Sequence, residues 1–169
     1  MLYLDIDGVL NPDNEAPNTW GDWRRKKLTF NKGGGLLETI KIDWSPALVA
    51  ALWETTGGNI TWHTSWNLTY KSTTYANHLG TTVFGWPPLP DTGSPVEGAA
   101  GKVGEWWKLT LLKQSPPDGP FVWIDDDFAF EPDAIDWVEN AGGLAIITNP
   151  ELGLIPVHLD QIQRYYDGT

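Results

Sequence analysis

The run Leu2-Tyr3-Leu4-Asp5-Ile6-Asp7-Gly8 joins a short apolar segment to two carboxylates one residue apart, and then to a glycine. The apolar part reads as a buried strand, and Gly8 breaks it. Carboxylates at the end of a buried strand are costly to desolvate unless a positive group compensates them. A divalent cation together with a phosphate-bearing substrate meets that need. In open α/β sheets, ligands sit beyond the carboxyl ends of the strands, where Asp5 and Asp7 fall. The first carboxylate can attack phosphorus and carry an aspartyl-phosphate. The second can protonate the leaving group and later activate water.

Two further apolar runs end in polar groups. Ile60-Thr61-Trp62-His63-Thr64-Ser65-Trp66 places hydroxyls at a predicted strand end, and Phe121-Val122-Trp123-Ile124-Asp125-Asp126-Asp127 places three acids there. Between them lie two lysines of interest, Lys102 and Lys108.

The elements that must position these groups follow from pattern. Strands are predicted at Leu2–Asp5, Ile60–Thr64, Thr81–Phe84, Phe121–Ile124 and Leu144–Thr148. Leu28-Thr29-Phe30 and Leu37–Ile42 flank Gly33-Gly34-Gly35 and are expected to pair as a hairpin. Ser45 and Pro46 signal a helix start, and Gly57-Gly58 its end. Further helices are expected from Asn67 to about Leu79, over Val103–Gln114, over Pro132–Asn140 and from about Val157 to Tyr166. If the third of these five begins at Lys102, Lys108 falls mid-helix. Strands alternating with helices imply an α/β fold with a mainly parallel central sheet and helices on both faces.

The stretch Leu4–Asn11 resembles motif I of the haloacid dehalogenase (HAD) superfamily, apolar-apolar-Asp-x-Asp-Gly, and the later stretches resemble its motifs II to IV in order. The resemblance implies a Rossmann-like HAD fold over residues 1–169 as a single domain, with 11–43 as a small flap or minimal cap. It implies Asp5 as nucleophile and Asp7 as acid and base. Thr64, with Ser65 as its rival, would bind the transferring phosphoryl group, and Gly8 and Ser65 would border the substrate. Lys102, with Lys108 as its rival, would neutralise the phosphoryl charge. Mg²⁺ would be held by Asp5, the backbone carbonyl of Asp7, and Asp125 and Asp126, of which Asp125 is the first choice. Asp127 would begin the following turn. Trp62-His63-Thr64-Ser65-Trp66 and Trp123-Ile124-Asp125-Asp126-Asp127 look most like the HAD domains linked to RNA-repair proteins and their stand-alone phage relatives. That implies a nucleic-acid 3′-phosphate end, a nucleotide or another small phosphomonoester as substrate. Two alternatives stay open: a binding protein that keeps the fold with weak turnover, and a phosphotransferase with an acceptor other than water.

Composition narrows the partners. The net charge of -11 excludes broad, nonspecific nucleic-acid binding, which relies on positive charge. A local basic run, Arg24-Arg25-Lys26-Lys27, offers either a solvated loop or an edge that recruits phosphate. Most of the 11 tryptophans should pack in the core, with a minority free to stack on a base. With no cysteine there is neither a disulfide nor a thiolate metal site. No long apolar segment or basic leader is present, so a soluble cytoplasmic protein without membrane contact is expected. His63, His78 and His158 lack metal-ligand spacing, and Gly33-Gly34-Gly35 lacks the lysine and hydroxyl of a phosphate-binding loop.

Overall fold

The computed structural model describes residues 1–14, 17–33, 36–67, 69–70, 73–95 and 105–168. Four short strands build the central sheet: β1 (Leu2–Leu4), β4 (Ile60–Trp62), β7 (Val122–Asp125) and β8 (Leu144–Ile147), in the order β4-β1-β7-β8. All are parallel, with Leu4 level with both Trp62 and Ile124. The chain runs outward from β1 to β4 on one side, then returns to lay β7 and β8 on the other. The direction of strand addition therefore switches at β1, and in sheets of this kind ligands bind beyond the carboxyl ends of the strands at such a switch point.

Alternation along these strands feeds two cores. Leu2, Leu4, Val122 and Ile124 face α1 (Pro46–Thr56) and α5 (Pro156–Asp167), packing with Leu48, Leu52, Leu159 and Ile162. Tyr3, Phe121 and Trp123 face α3 (Trp107–Gln114) and α4 (Pro132–Asn140), packing with Leu109, Leu112, Ala134 and Val138. This is the α/β Rossmann-like arrangement with helices on both faces. Helix α1 starts as its residues dictate. The Ser45 hydroxyl accepts from the Leu48 N–H at 3.1 Å and donates to Asp22, and Gly57 ends the helix in the left-handed region.

Between β1 and α1 an antiparallel hairpin, β2 (Arg24–Gly33) with β3 (Leu36–Trp44), pairs Leu28 with Ile40 and Phe30 with Glu38. It is longer than the apolar residues alone predict, because the basic run Arg24–Lys27 forms part of β2 rather than a loop. Arg25 grips Asp43 through two bonds of 2.7 and 3.2 Å, and Lys26 Nζ donates to the Thr82 carbonyl at 3.3 Å.

Two expectations fail locally. No helix starts at Asn67. A 3₁₀ turn (Ser65–Asn67) and a short ladder of β5 (Thr69–Tyr70) with β6 (Thr73–Thr74) precede α2 (Tyr75–Leu79), which Thr74 caps through the Asn77 N–H at 3.2 Å. Asn67 instead donates to the carbonyls of Trp62 and Gly93, both at 3.1 Å, and ties the end of β4 to a neighbouring loop. Thr81–Phe84 is not a strand but lies in a π-helical turn (Gly80–Phe84) that extends α2. The hydroxyls of Thr81 and Thr82 bond back to the Asn77 and His78 carbonyls one turn earlier, which favours the helical turn over a strand. Among the described residues, no helix is long and apolar enough to cross a membrane.

Candidate active site

Past Leu4 the chain curls at once. The N–H groups of Val9, Leu10 and Asn11 converge on the Ile6 carbonyl at 2.8–3.2 Å, winding a tight loop at the carboxyl edge of the sheet. Gly8 has φ +65°, and a Cβ there would lie 2.4 Å from Asp126 Cγ. Glycine is required at this position twice over, for its backbone conformation and for the space that Asp126 fills.

Asp5 follows β1 directly, and Asp125 is the last residue of the adjacent β7. Their carboxylates and that of Asp126 bring oxygen atoms within 4.8 Å of one another. Lys108 lies between them. Its ammonium donates to Asp5 Oδ2 and to Asp125 Oδ2, each at 2.7 Å. Lys108 stands in the first turn of α3, not mid-helix, because Trp106 is the residue before the helix and α3 begins at Trp107. Its ammonium also lies over the Trp106 and Trp107 rings, 5.2 and 5.8 Å from their centres. Trp106 in turn stacks on Trp123, whose indole N–H donates to Asp125 Oδ2 at 3.1 Å. Lys102 lies outside the described residues.

Electrostatics follow from this packing. Burial alone would lower the Lys108 pKa, but the charges of Asp5 and Asp125 overcome it and hold the ammonium above its ordinary value. Asp125 is pushed well above the usual carboxylate range, first by burial and then by Asp5, with Lys108 opposing. Asp126 is pushed up to about 6 by burial first and by Asp5 and Asp127 next. Three carboxylates against one ammonium leave an excess of negative charge in a largely buried space. An all-oxygen donor set of this kind suits a hard divalent cation. Asp127 sits outside this set, where its N–H donates to Asp125 Oδ1 at 3.2 Å and it starts a 3₁₀ turn.

Asp7 is held differently. Its carboxylate lies apart from the three-acid cluster and accepts from Trp66 Nε1 at 2.7 Å and from Asn11 Nδ2 at 2.8 Å. The residue as a whole is exposed, while each carboxyl oxygen is covered by one of these donors. Desolvation there raises its pKa, and the two hydrogen bonds work against that rise.

Thr64 is fully buried two residues beyond β4, as Ile6 is beyond β1. Its hydroxyl oxygen accepts from the Trp66 N–H at 3.3 Å, whereas Ser65 is exposed. His63 is buried, with Nδ1 2.5 Å from Thr92 Oγ1 and Trp123 edge-on to its ring. Burial, followed by the Lys108 charge, pushes its pKa well down. Sequence reasoning did not single out Trp66, Asn11 and Trp123 as partners of the acids. Trp123 had a usable signal, since residues two apart on a strand share a face and Trp123 precedes Asp125 by two. For Trp66 and Asn11 there was none, because their contacts depend on loop geometry.

Residues 1–159 match the family described as the HAD domain in Swiss Army Knife RNA repair proteins. No curated protein and no solved structure matches the chain.

Proposed function

This chain belongs to the family of HAD domains in Swiss Army Knife RNA repair proteins, and on that footing we propose that it is a Mg²⁺-dependent phosphomonoester hydrolase. Nucleic-acid 3′-phosphate ends or nucleotides are its proposed substrates. One observation carries the reading: the Lys108 ammonium bridges Asp5 and Asp125 inside a three-carboxylate cluster. A buried cation on the proposed nucleophile, beside an oxygen-rich metal site, is what phosphoryl transfer needs, since its catalysis is mainly positioning and charge stabilisation.

Asp5, Asp125 and Asp126, with the Asp7 backbone carbonyl, would hold Mg²⁺, which when bound supplies positive charge against the phosphoryl oxygens. In the proposed reaction a carboxylate oxygen of Asp5 attacks phosphorus as the bond from phosphorus to the leaving oxygen breaks. Asp7 gives its proton to that oxygen. Water then attacks the aspartyl-phosphate, Asp7 takes its proton, and the Asp5 carboxylate is released with inorganic phosphate. Lys108 takes the role first expected of Lys102, and Thr64, Ser65 and Gly8 border the phosphoryl group.

Hydrolysis of p-nitrophenyl phosphate with Mg²⁺ tests this reading directly. Asp5→Asn should be slower than the wild type by at least about 1000-fold, and equal rates would defeat it. A panel of 3′- and 5′-phosphorylated oligonucleotides, nucleotides and sugar phosphates tests the substrate class. Faster turnover of sugar phosphates than of any nucleic-acid end or nucleotide would overturn that part alone.

A further inference from the structure

Two neutral donors fix the Asp7 carboxylate, one on each oxygen, and both are backed by the β2–β3 hairpin. Trp66 donates to Oδ2 at 2.7 Å, and its ring is met edge-on by Phe30 of β2, with ring centres 6.0 Å apart. Phe30 is itself wedged against Tyr75, at 4.2 Å between centres. Asn11 donates to Oδ1 at 2.8 Å, and its amide oxygen accepts from the Asp43 N–H near the end of β3 at 3.0 Å. Each strand of the hairpin therefore supports one donor. A carboxylate gripped on both oxygens by planar, packed groups has little freedom to turn.

We propose that Trp66 and Asn11 are positioning residues that aim the Asp7 proton at the leaving oxygen, and that the hairpin sets their placement. This rests on the reading of Asp7 as the general acid. In the step concerned, the bond from phosphorus to the leaving oxygen breaks and the Asp7 proton passes to that oxygen. A sugar oxygen is a poor leaving group and needs the proton, whereas p-nitrophenolate leaves without it. Loss of aim therefore has a signature that general damage lacks.

The experiment compares kcat/KM for a nucleoside 3′-phosphate and for p-nitrophenyl phosphate, both with Mg²⁺. Trp66→Phe removes the N–H and keeps an aromatic ring. It should lower the nucleoside rate by about 10- to 100-fold and the p-nitrophenyl rate by less than about 3-fold. Phe30→Ala should show the same selectivity at smaller size. Should Trp66→Phe fail to fold, Asn11→Ala must show the selective loss in its place. Equal losses on both substrates, or no loss on either, would overturn the positioning role. Asp7→Asn is the control for the underlying reading. If its own loss is unselective, Asp7 is not the acid; if it is selective while Trp66→Phe is not, only the positioning role falls.

Discussion

Asp5 and Asp7 are two residues apart, and the molecule holds them by opposite means. Asp5 is buried against a charge, with Lys108 on one oxygen and the Ile6 N–H on the other at 2.8 Å. Asp7 keeps solvent beside it and is held by uncharged N–H groups from Trp66 and Asn11. The first setting is built from the sheet and the first turn of α3, the second from loops leaning on a hairpin. A buried ion pair gains little net stability, because desolvation offsets its attraction, yet removing one partner is costly. Neutral hydrogen bonds beside water cost less to lose. The pair thus sets a carboxylate held by charge beside one held by neutral donors.

That contrast can be broken most forcefully at Lys108. Lys108→Met leaves Asp5 and Asp125 buried without their cation, and a loss of about 3–5 kcal/mol is expected from urea unfolding without Mg²⁺. Added Mg²⁺ should restore part of it, because binding to the folded state alone stabilises that state. A loss below about 1 kcal/mol would show that the buried bridge matters no more than a surface pair.

Gly8→Ala probes the point where the two settings meet. A positive φ and the overlap with Asp126 should cost about 1–3 kcal/mol. Titration calorimetry should also show Mg²⁺ binding weakened by about tenfold, as Asp126 is displaced.

His63 tests the charged side by pH. Its folded pKa is depressed, so its stabilising contribution is fully present above the unfolded value of about 6.5 and is lost as pH falls below it, by up to about 1.4 kcal/mol per unit. Asp7 and Asp126, whose pKa values are raised, shift stability the other way and cancel in a difference between proteins. Unfolding of wild type and His63→Gln at about pH 7.5 and about pH 5 should show the wild type losing more on acidification. Parallel changes in the two proteins would contradict the assignment.

The smallest effect belongs to the hairpin. Arg25→Ala removes a pair whose arginine is 45% exposed, and thermal unfolding should register less than about 1 kcal/mol.

Much of this arrangement is legible in the sequence. The strand ends carrying Asp5 and Asp125 announce themselves, because an apolar run stopping at acids is a local signal. Ser45-Pro46 and Gly57 mark α1 for the same reason. The segment from Asn67 to Phe84 was not legible, since its threonines serve equally as strand residues, caps and back-bonding hydroxyls, and tertiary contacts decide among these. Apolar spacing alone suggests a helix starting at Val103, which favours Lys102 and leaves Lys108 as its rival. The start of α3 at Trp107, with Trp106 stacked on Trp123, depends on a contact between distant segments. The same is true of the clasp on Asp7.

The place of β1 in the middle of the sheet also governs the order of assembly. Leu2 pairs with Ile60 on one side and with Val122 on the other, so an early strand waits for a partner far along the chain. Pairings so remote in sequence slow folding, because a long loop must close before they form. Until β7 docks, β1 has a bare edge, and Lys108 has neither of its acids in place. The three-acid cluster is therefore complete only once β7 lies beside β1, and a chain cut short of Val122 lacks two of its three acids.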